Sequence, residues 1–166
     1  MTDFRAALSL LGAAVNIITT DGPAGRAGLT ATAVCSVSDQ PPTVLVCVNR
    51  AAQTHQVLMD NGVLCINVLT TQQQGLAALF GGRASTKERF AAAQWTTLAT
   101  GAPALDKALV NLDAKIIQRH EVGTHSIFVA EVRQIRAMAV PDSSDAPVGG
   151  LVYFNRAYHS LIGDSI

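Results

Sequence analysis

The sequence predicts a mainly β domain, an antiparallel barrel with a few peripheral helices. Three observations carry that expectation. Apolar and β-branched runs of strand length recur along the chain, at residues 15–20, 27–38, 43–49, 62–69, 112–122, 126–138 and 151–158. None is followed by the regular helix that a βαβ series requires. The nearest approach to a dinucleotide glycine fingerprint, Gly22, Gly25 and Gly28, has the wrong spacing and lies in a hairpin, which argues against a doubly wound sheet.

The elements follow in order. Thr2 or Asp3 can cap a first helix reaching about Ala13, with Phe4, Leu8 and Leu11 on one face. Residues 15–20 (VNIITT) form a strand, and Asp21-Gly22-Pro23 with Gly25 turns it into the next, residues 27–38. Asp39 to Pro42 turns the chain again. Residues 43–49 (TVLVCVN) are almost continuously apolar and read as a strand buried on both faces. A short helix over 54–61 turns Val57 and Leu58 inward and ends at Gly62. After the strand at 62–69, helices are expected over 72–80, closed by Gly81-Gly82, and over 86–93, with Glu88 near the start. Residues 95–105 read as irregular. Two long strands, 112–122 and 126–138, flank the turn Gly123-Thr124-His125. A polar loop over 141–150 leads to a last strand, 151–158, and a short tail.

At 166 residues, one domain over residues 1–166 is the expectation, long enough to bury roughly two-thirds of its unfolded surface. Hydrophobic residues make up 49% and charged residues 14%, against about 25% charged in an average domain. So little charge leaves apolar surface uncovered, which predicts a homo-oligomer. Twelve basic residues balance twelve acidic ones and are scattered along the chain. Nucleic-acid binding requires a clustered basic excess, so it is not expected, and neither is an anionic membrane surface. An oligonucleotide-binding barrel would also need a basic aromatic face, and aromatic residues are 5% of the chain. Cys35, Cys47 and Cys65 sit apart in apolar runs with no Cys-x-x-Cys spacing, and the four histidines share no ligand spacing. Free thiols in a reducing compartment are expected, and no metal. The N-terminus lacks the basic region of a signal peptide, and no apolar run approaches the ~20 residues of a membrane span. Together these predict a cytoplasmic protein.

The richest stretch for chemistry is residues 28–50. Thr30, Thr32, Ser36 and Ser38 alternate along the second strand, with Ala31 and Ala33 between them and Val37 following Ser36. Small side chains let a planar body approach the backbone, and hydroxyls can hydrogen-bond it. The ordinary reading is of strand-forming threonines facing solvent. Asn49-Arg50-Ala51 ends the apolar strand, where sites commonly open beside a sheet. Phe80-Gly81-Gly82, with Arg83, is an ordinary helix end or a cradle with a cation for a phosphate. Lys87 and Arg89 are solvated helix charges or serve the same end. His125 in its tight turn is a plain surface histidine or a donor to an incoming amide or phosphate. Tyr153, Phe154, Arg156 and Tyr158 make a stacking wall or a dimer contact.

In this order the features resemble the short-chain flavin reductases of two-component monooxygenases. The resemblance extends from the N-terminal FRAALSLLG through GVLCINVL, FGG, ERFAAAQW and VGTHSIFVAEV to GLVYFNRAYHSL. It includes the reductase partners of 4-hydroxyphenylacetate 3-monooxygenase and of the pyrimidine-ring oxygenase. It implies a split β-barrel of the FMN-binding, Greek-key type, working as a homodimer. It implies hydride transfer from NADH or NADPH to FMN or FAD, and delivery of reduced flavin, by diffusion, to a separate oxygenase. The family's flavin-contacting strand matches Thr30, Ala31, Thr32 and Ala33, then Ser36, Val37 and Ser38. Its next segment matches Asn49, Arg50 and Ala51. Its helix end, usually Phe-Ala-Gly, matches Phe80, Gly81 and Gly82. Its Gly-Asp-His turn, which receives the nicotinamide nucleotide, matches Gly123, Thr124 and His125. Its C-terminal aromatic segment matches Tyr153, Arg156 and Tyr158. The alternative is a non-catalytic flavin- or haem-binding module on the same barrel. Hydride transfer needs alignment of two rings at roughly 3–3.5 Å rather than a protein nucleophile or base, consistent with the lack of a catalytic dyad in the sequence.

Overall fold

A computed structural model describes residues 3–138 and 149–162. Thr2, most of the expected 141–150 loop and the end of the tail lie outside the described residues. Among the described residues, twelve strands and four helices order as α1 (Phe4–Leu8), β1 (Ala13–Ala14), β2 (Asn16–Thr20), β3 (Ala27–Ala31), β4 (Val34–Asp39), β5 (Pro42–Asn49), α2 (Gln53–Asn61), β6 (Val63–Val68), α3 (Gln74–Gly81), α4 (Thr86–Ala91), β7 (Trp95–Thr97), β8 (Pro103–Leu105), β9 (Val110–Val122), β10 (His125–Ala137), β11 (Gly150–Phe154) and β12 (Ala157–Leu161). A 3₁₀ turn, Thr71–Gln73, precedes α3. All strand pairings are antiparallel.

The main sheet has seven strands in the order β3-β2-β6-β9-β10-β5-β4. The expected single strand over 27–38 is two strands. β3 pairs with β2 and β4 with β5, so they occupy opposite edges of the sheet although only Thr32 and Ala33 separate them. Neither residue takes a place in either ladder: the Ala33 carbonyl accepts from the Cys47 amide, and Thr32 from Val34. β4 is interrupted once more, where the register shifts between Ser36 and Ser38 and leaves Val37 unpaired. The alternation of hydroxyls expected on one face is broken at both places.

β2 is buried along its whole length because it lies between two cores. Ile18 faces a cluster with Val46, Leu58, Leu64, Ile66 and Phe128. Ile17 faces a second cluster with Val15, Leu69, Phe80, Phe90 and Leu151. β5 was expected to be covered on both faces; instead Leu45 and Cys47 are half-buried, between fully buried neighbours. The first helix is one turn shorter than expected and its Phe4, Leu8 and Leu11 are exposed, Phe4 by 72%. Asp3 caps it through the Arg5 amide. Ala13, expected at the helix end, pairs with β11 instead, as does Ala14.

Residues 95–105 are not irregular: β7 and β8 form a hairpin held by a buried polar network. The Asn67 amide nitrogen donates to the carbonyls of Ile17 (2.9 Å) and Cys65 (3.3 Å), and its oxygen accepts from the Leu105 amide and Asn111 Nδ2, both at 2.7 Å. Arg136 extends the network, donating to Asn111 (2.8 Å), Thr96 (2.7 Å) and the Leu105 carbonyl (3.0 Å). The expected final strand is also a hairpin, β11–β12, turning at Asn155 and Arg156, both at positive φ. Gly62 ends α2 in the left-handed conformation, φ +68°, as its position predicts. Among the described residues no helix is long and apolar enough to cross a membrane.

Candidate functional site

An open groove of about 620 Å³ lies where β3 breaks. Thr30, Ala31, Thr32 and Ala33 line one side. Cys47 and Asn49 at the end of β5 meet them, followed by Ala52, Gln53 and Thr54 entering α2. The opposite side is the end of α3, Phe80, Gly81 and Gly82, continuing to Arg83 and Ala84, with Arg89 of α4 behind it and His125 on the rim.

Local interactions fix these walls. Gly28 is required because Phe80 lies against its backbone: a Cβ there would stand 2.8 Å from Phe80 Cε1 and 3.2 Å from the Ile18 carbonyl oxygen. The Thr30 hydroxyl donates to the Ala77 carbonyl at 2.6 Å, tying β3 to α3. It is engaged by the backbone and does not project as a free donor. Thr54 Oγ1 donates to the Gly28 carbonyl at 3.2 Å, tying α2 to the same strand. Arg89 sends Nη1 to that carbonyl (2.8 Å) and Nη2 to the Gly82 carbonyl (2.7 Å). Its buried Nε has no partner among the described residues. The amides of Thr32 and Ala33 likewise have no acceptor among the described residues. A buried orphan donor and free amides beside small side chains suit an anionic or carbonyl-rich planar ligand.

A second hollow, about 520 Å³, lies across the β9–β10 turn. It gathers Arg50, Ala51, Gly123 and Thr124, and shares Asn49 with the groove. Asn49 Oδ1 accepts from the Ala51 amide at 2.9 Å. The Arg50 amide donates to the Thr124 carbonyl (2.9 Å), and its guanidinium pairs with Glu121 (3.4 Å) and reaches the Gly123 carbonyl (3.4 Å). Gly123 takes φ +56°, the left-handed conformation of a tight hairpin. His125 Nδ1 shares a 2.9 Å hydrogen bond with Thr124 Oγ1, which leaves its Nε2 for a ligand.

The groove and hollow therefore bring together most of the sequence-predicted site residues. Others lie apart. Ser36, Val37 and Ser38 run along the exposed β4 edge away from the groove, and Ser38 Oγ accepts from the Gln40 amide at 3.1 Å. Tyr153 and Tyr158 stack edge-on at 5.3 Å in the β1-β11-β12 sheet against the second core, and Arg156 caps their hairpin. Burial, then the neighbouring Tyr153, raises the Tyr158 phenol.

Sequence reasoning missed Cys47, Gln53, Thr54 and His55. Cys47 was hidden in a continuous apolar run that gives no facing. Burial, then Cys35, raises its thiol, so it is a small apolar wall. His55 is 6% exposed; its Nε2 shares a 2.8 Å hydrogen bond with Ser126 Oγ, and its ring packs on Phe128 at 5.5 Å. Burial, then the Arg50 charge, holds it below the ordinary histidine range, so it is neutral at pH 7. Its only sequence signal is a polar residue on the inward face of α2.

The small antiparallel β fold thus sets an open groove, lined by backbone, small side chains, Arg83 and Arg89, beside a histidine-bearing hairpin. The Flavin reductase like domain family matches residues 8–161, and the chain belongs to that family. It is 55% identical over 158 residues to the FMN reductase (NADH) RutF of Pseudomonas syringae pv. syringae (strain B728a), covering 95% of this chain and 85% of that protein. It resembles the structure of BorF, the flavin reductase component of a bacterial two-component tryptophan halogenase, with a TM-score of 0.85 at 29% identity over 96% of this chain and 97% of BorF. The NADH:FAD oxidoreductase SgcE6 of Streptomyces globisporus C-1027, in complex with NAD and FAD fragments, superposes with a TM-score of 0.86 at 26% identity, covering 98% and 93% of the two chains.

Proposed function

We propose that this chain catalyses NADH-dependent reduction of FMN and supplies the reduced flavin to a separate monooxygenase component. The observation that carries this reading is the groove at the β3 break, where free amides, small side chains and the Gly81-Gly82 helix end meet beside His125. Family membership and the FMN reductase (NADH) relative support it.

Bound flavin supplies the two-electron acceptor, and the residues of the chain supply alignment. The Thr32 and Ala33 amides would hold the polar edge of the flavin ring, and the Arg89 guanidinium would supply positive charge at the α3 end. Gly81 and Gly82 at the end of α3 would form the opposite wall, and Asn49 would close the β5 side. His125 holds the nicotinamide nucleotide from the rim, with the turn steadied by Arg50. No side chain has to move a proton for hydride to pass, which fits an exposed histidine with one nitrogen already bonded to Thr124. Ser36, Val37, Ser38, Tyr153, Arg156 and Tyr158 lie off this groove within one chain. The proposed arrangement is a single split β-barrel domain over residues 1–166 in a homodimer, in the cytoplasm. A second copy then brings its exposed edge to the site. Reduced flavin leaves by diffusion to an oxygenase such as the pyrimidine-ring enzyme whose reductase partner the sequence resembles.

Purified protein mixed with NADH and free FMN is expected to bleach the visible flavin absorbance far faster than buffer, and His125→Ala to raise KM for NADH more than KM for FMN. No bleaching above buffer would overturn the reading.

A further inference from the structure

We infer that His55 and Ser126 form a buried positioning pair that sets the distance between the nicotinamide turn and the flavin groove. The inference rests on the reading above that the turn at His125 receives the nicotinamide nucleotide.

α2 begins inside the groove. Its first turn carries Gln53 and Thr54 into the lining, and Thr54 grips the Gly28 carbonyl of β3. The next residue, His55, turns the other way. Its Nε2 meets Ser126 Oγ at 2.8 Å, and Ser126 directly follows His125 in β10. Both members are enclosed, His55 at 6% and Ser126 at 1% exposure. One helical turn therefore holds the flavin wall through Thr54 and the nicotinamide hairpin through His55.

The remaining side-chain links across this seam are weaker. Arg50 is about half exposed, and its contacts to Glu121 and Gly123 are each 3.4 Å. Such contacts hold little in water. The β5–β10 ladder also links the two walls, pairing His125 with Asn49 and Ser126 with Val48. The ladder fixes register along the strands, and beyond its last pair the Arg50 amide ties the tip to β5 through the Thr124 carbonyl at 2.9 Å. The buried side-chain hydrogen bond adds a second attachment, from the base of the hairpin to α2. Its loss would leave a polar atom unpaired in the interior, which the hairpin relieves by moving outward. Displacing the tip by a fraction of an ångström weakens nucleotide capture while leaving the flavin contacts in place.

The test is steady-state kinetics and flavin titration on Ser126→Ala, His55→Leu, the double variant and His55→Gln, with His125→Ala alongside. Either single substitution at the pair should raise KM for NADH about fivefold, with kcat reduced less than twofold and the flavin dissociation constant within twofold. The double variant should be no worse than the worse single one, because both remove one interaction. His55→Gln, whose amide reaches the Nε2 position, should recover most of the KM. Equal loss of flavin and NADH affinity, or an unchanged KM for NADH in Ser126→Ala while His125→Ala raises it, would overturn the pair's role. An unchanged KM in His125→Ala would instead overturn the reading of the turn, and the pair's role with it.

Discussion

Two glycines at the groove make opposite demands. Gly28 has no room for a methyl group, because Phe80 packs 2.8 Å from where its Cβ would be. Gly28→Ala should cost roughly 1–3 kcal/mol through overpacking, and by displacing Phe80 it should also weaken FMN binding. A urea melt and a flavin titration check both halves. At Gly81 a Cβ would stand 3.6 Å from Thr30 Cβ, an ordinary contact. Gly81→Ala, which restores the alanine usual at this place in the resembled family, should leave FMN affinity unchanged and stability equal or up to about 1 kcal/mol higher. His55 adds a pH dependence. Its folded pKa lies below the ordinary value of 6.5, so protons bind the unfolded chain more readily. Its contribution to stability is complete above about pH 6.5 and falls away as the pH drops through the folded pKa. The thermal midpoint of the native protein should therefore fall more steeply on acidification below pH 6.5 than that of His55→Gln.

At the scale of elements, the β7–β8 hairpin is held by buried polar groups more than by propensity. The Asn67 side chain joins it to β2 and β9 through four hydrogen bonds, with one more to the Cys65 carbonyl of its own strand. Asn67→Ala strands several of those partners and should cost about 2–4 kcal/mol, lowering the melting temperature by roughly 5–15 °C, with a much smaller effect on KM for FMN. This is also where the sequence was least legible. Strand existence along most of the chain could be read from apolar runs, and α2 with its Gly62 stop from capping chemistry. Residues 95–105 hold only two three-residue strands, with Gly101 between them and Pro103 starting the second, and do not announce a hairpin, because what orders them is Asn67 and Arg136, far away in sequence. The break at Thr32-Ala33 was invisible for a related reason. Thr and Ala continue a strand pattern locally, and only the demand that β3 and β4 reach different partners interrupts it. The candidate groove was legible at residues 30–33, 49 and 80–82, where small side chains mark close approach. His55 and Thr54 were not, because their roles depend on which way the first turn of α2 faces.

At the scale of the whole molecule, large apolar side chains are exposed at several places, Val122 and Ile135 of the β9–β10 hairpin among them. Phe4, Leu10 and Leu11 beside α1, Leu161 and Ile162 at the other terminus, and Val37 on the β4 edge are all more than half exposed. With 14% charged residues there is little to shield them. Light scattering after size exclusion should give twice the 17.4 kDa chain mass at micromolar concentration. A monomeric mass there would remove the proposed dimer and the second-copy contribution to the site.

The separation of β3 from β4 reaches into the order in which the chain assembles. β2–β3 and β4–β5 are local hairpins that close quickly. The two residues between them acquire fixed surroundings only when distant β9 and β10 have bridged the interior of the sheet, a slow step of long sequence separation. The ligand groove is thus completed at the end of folding and is among the first parts to loosen. Amide hydrogens of Thr32 and Ala33 should exchange rapidly with solvent in the free protein and slow markedly when FMN is added.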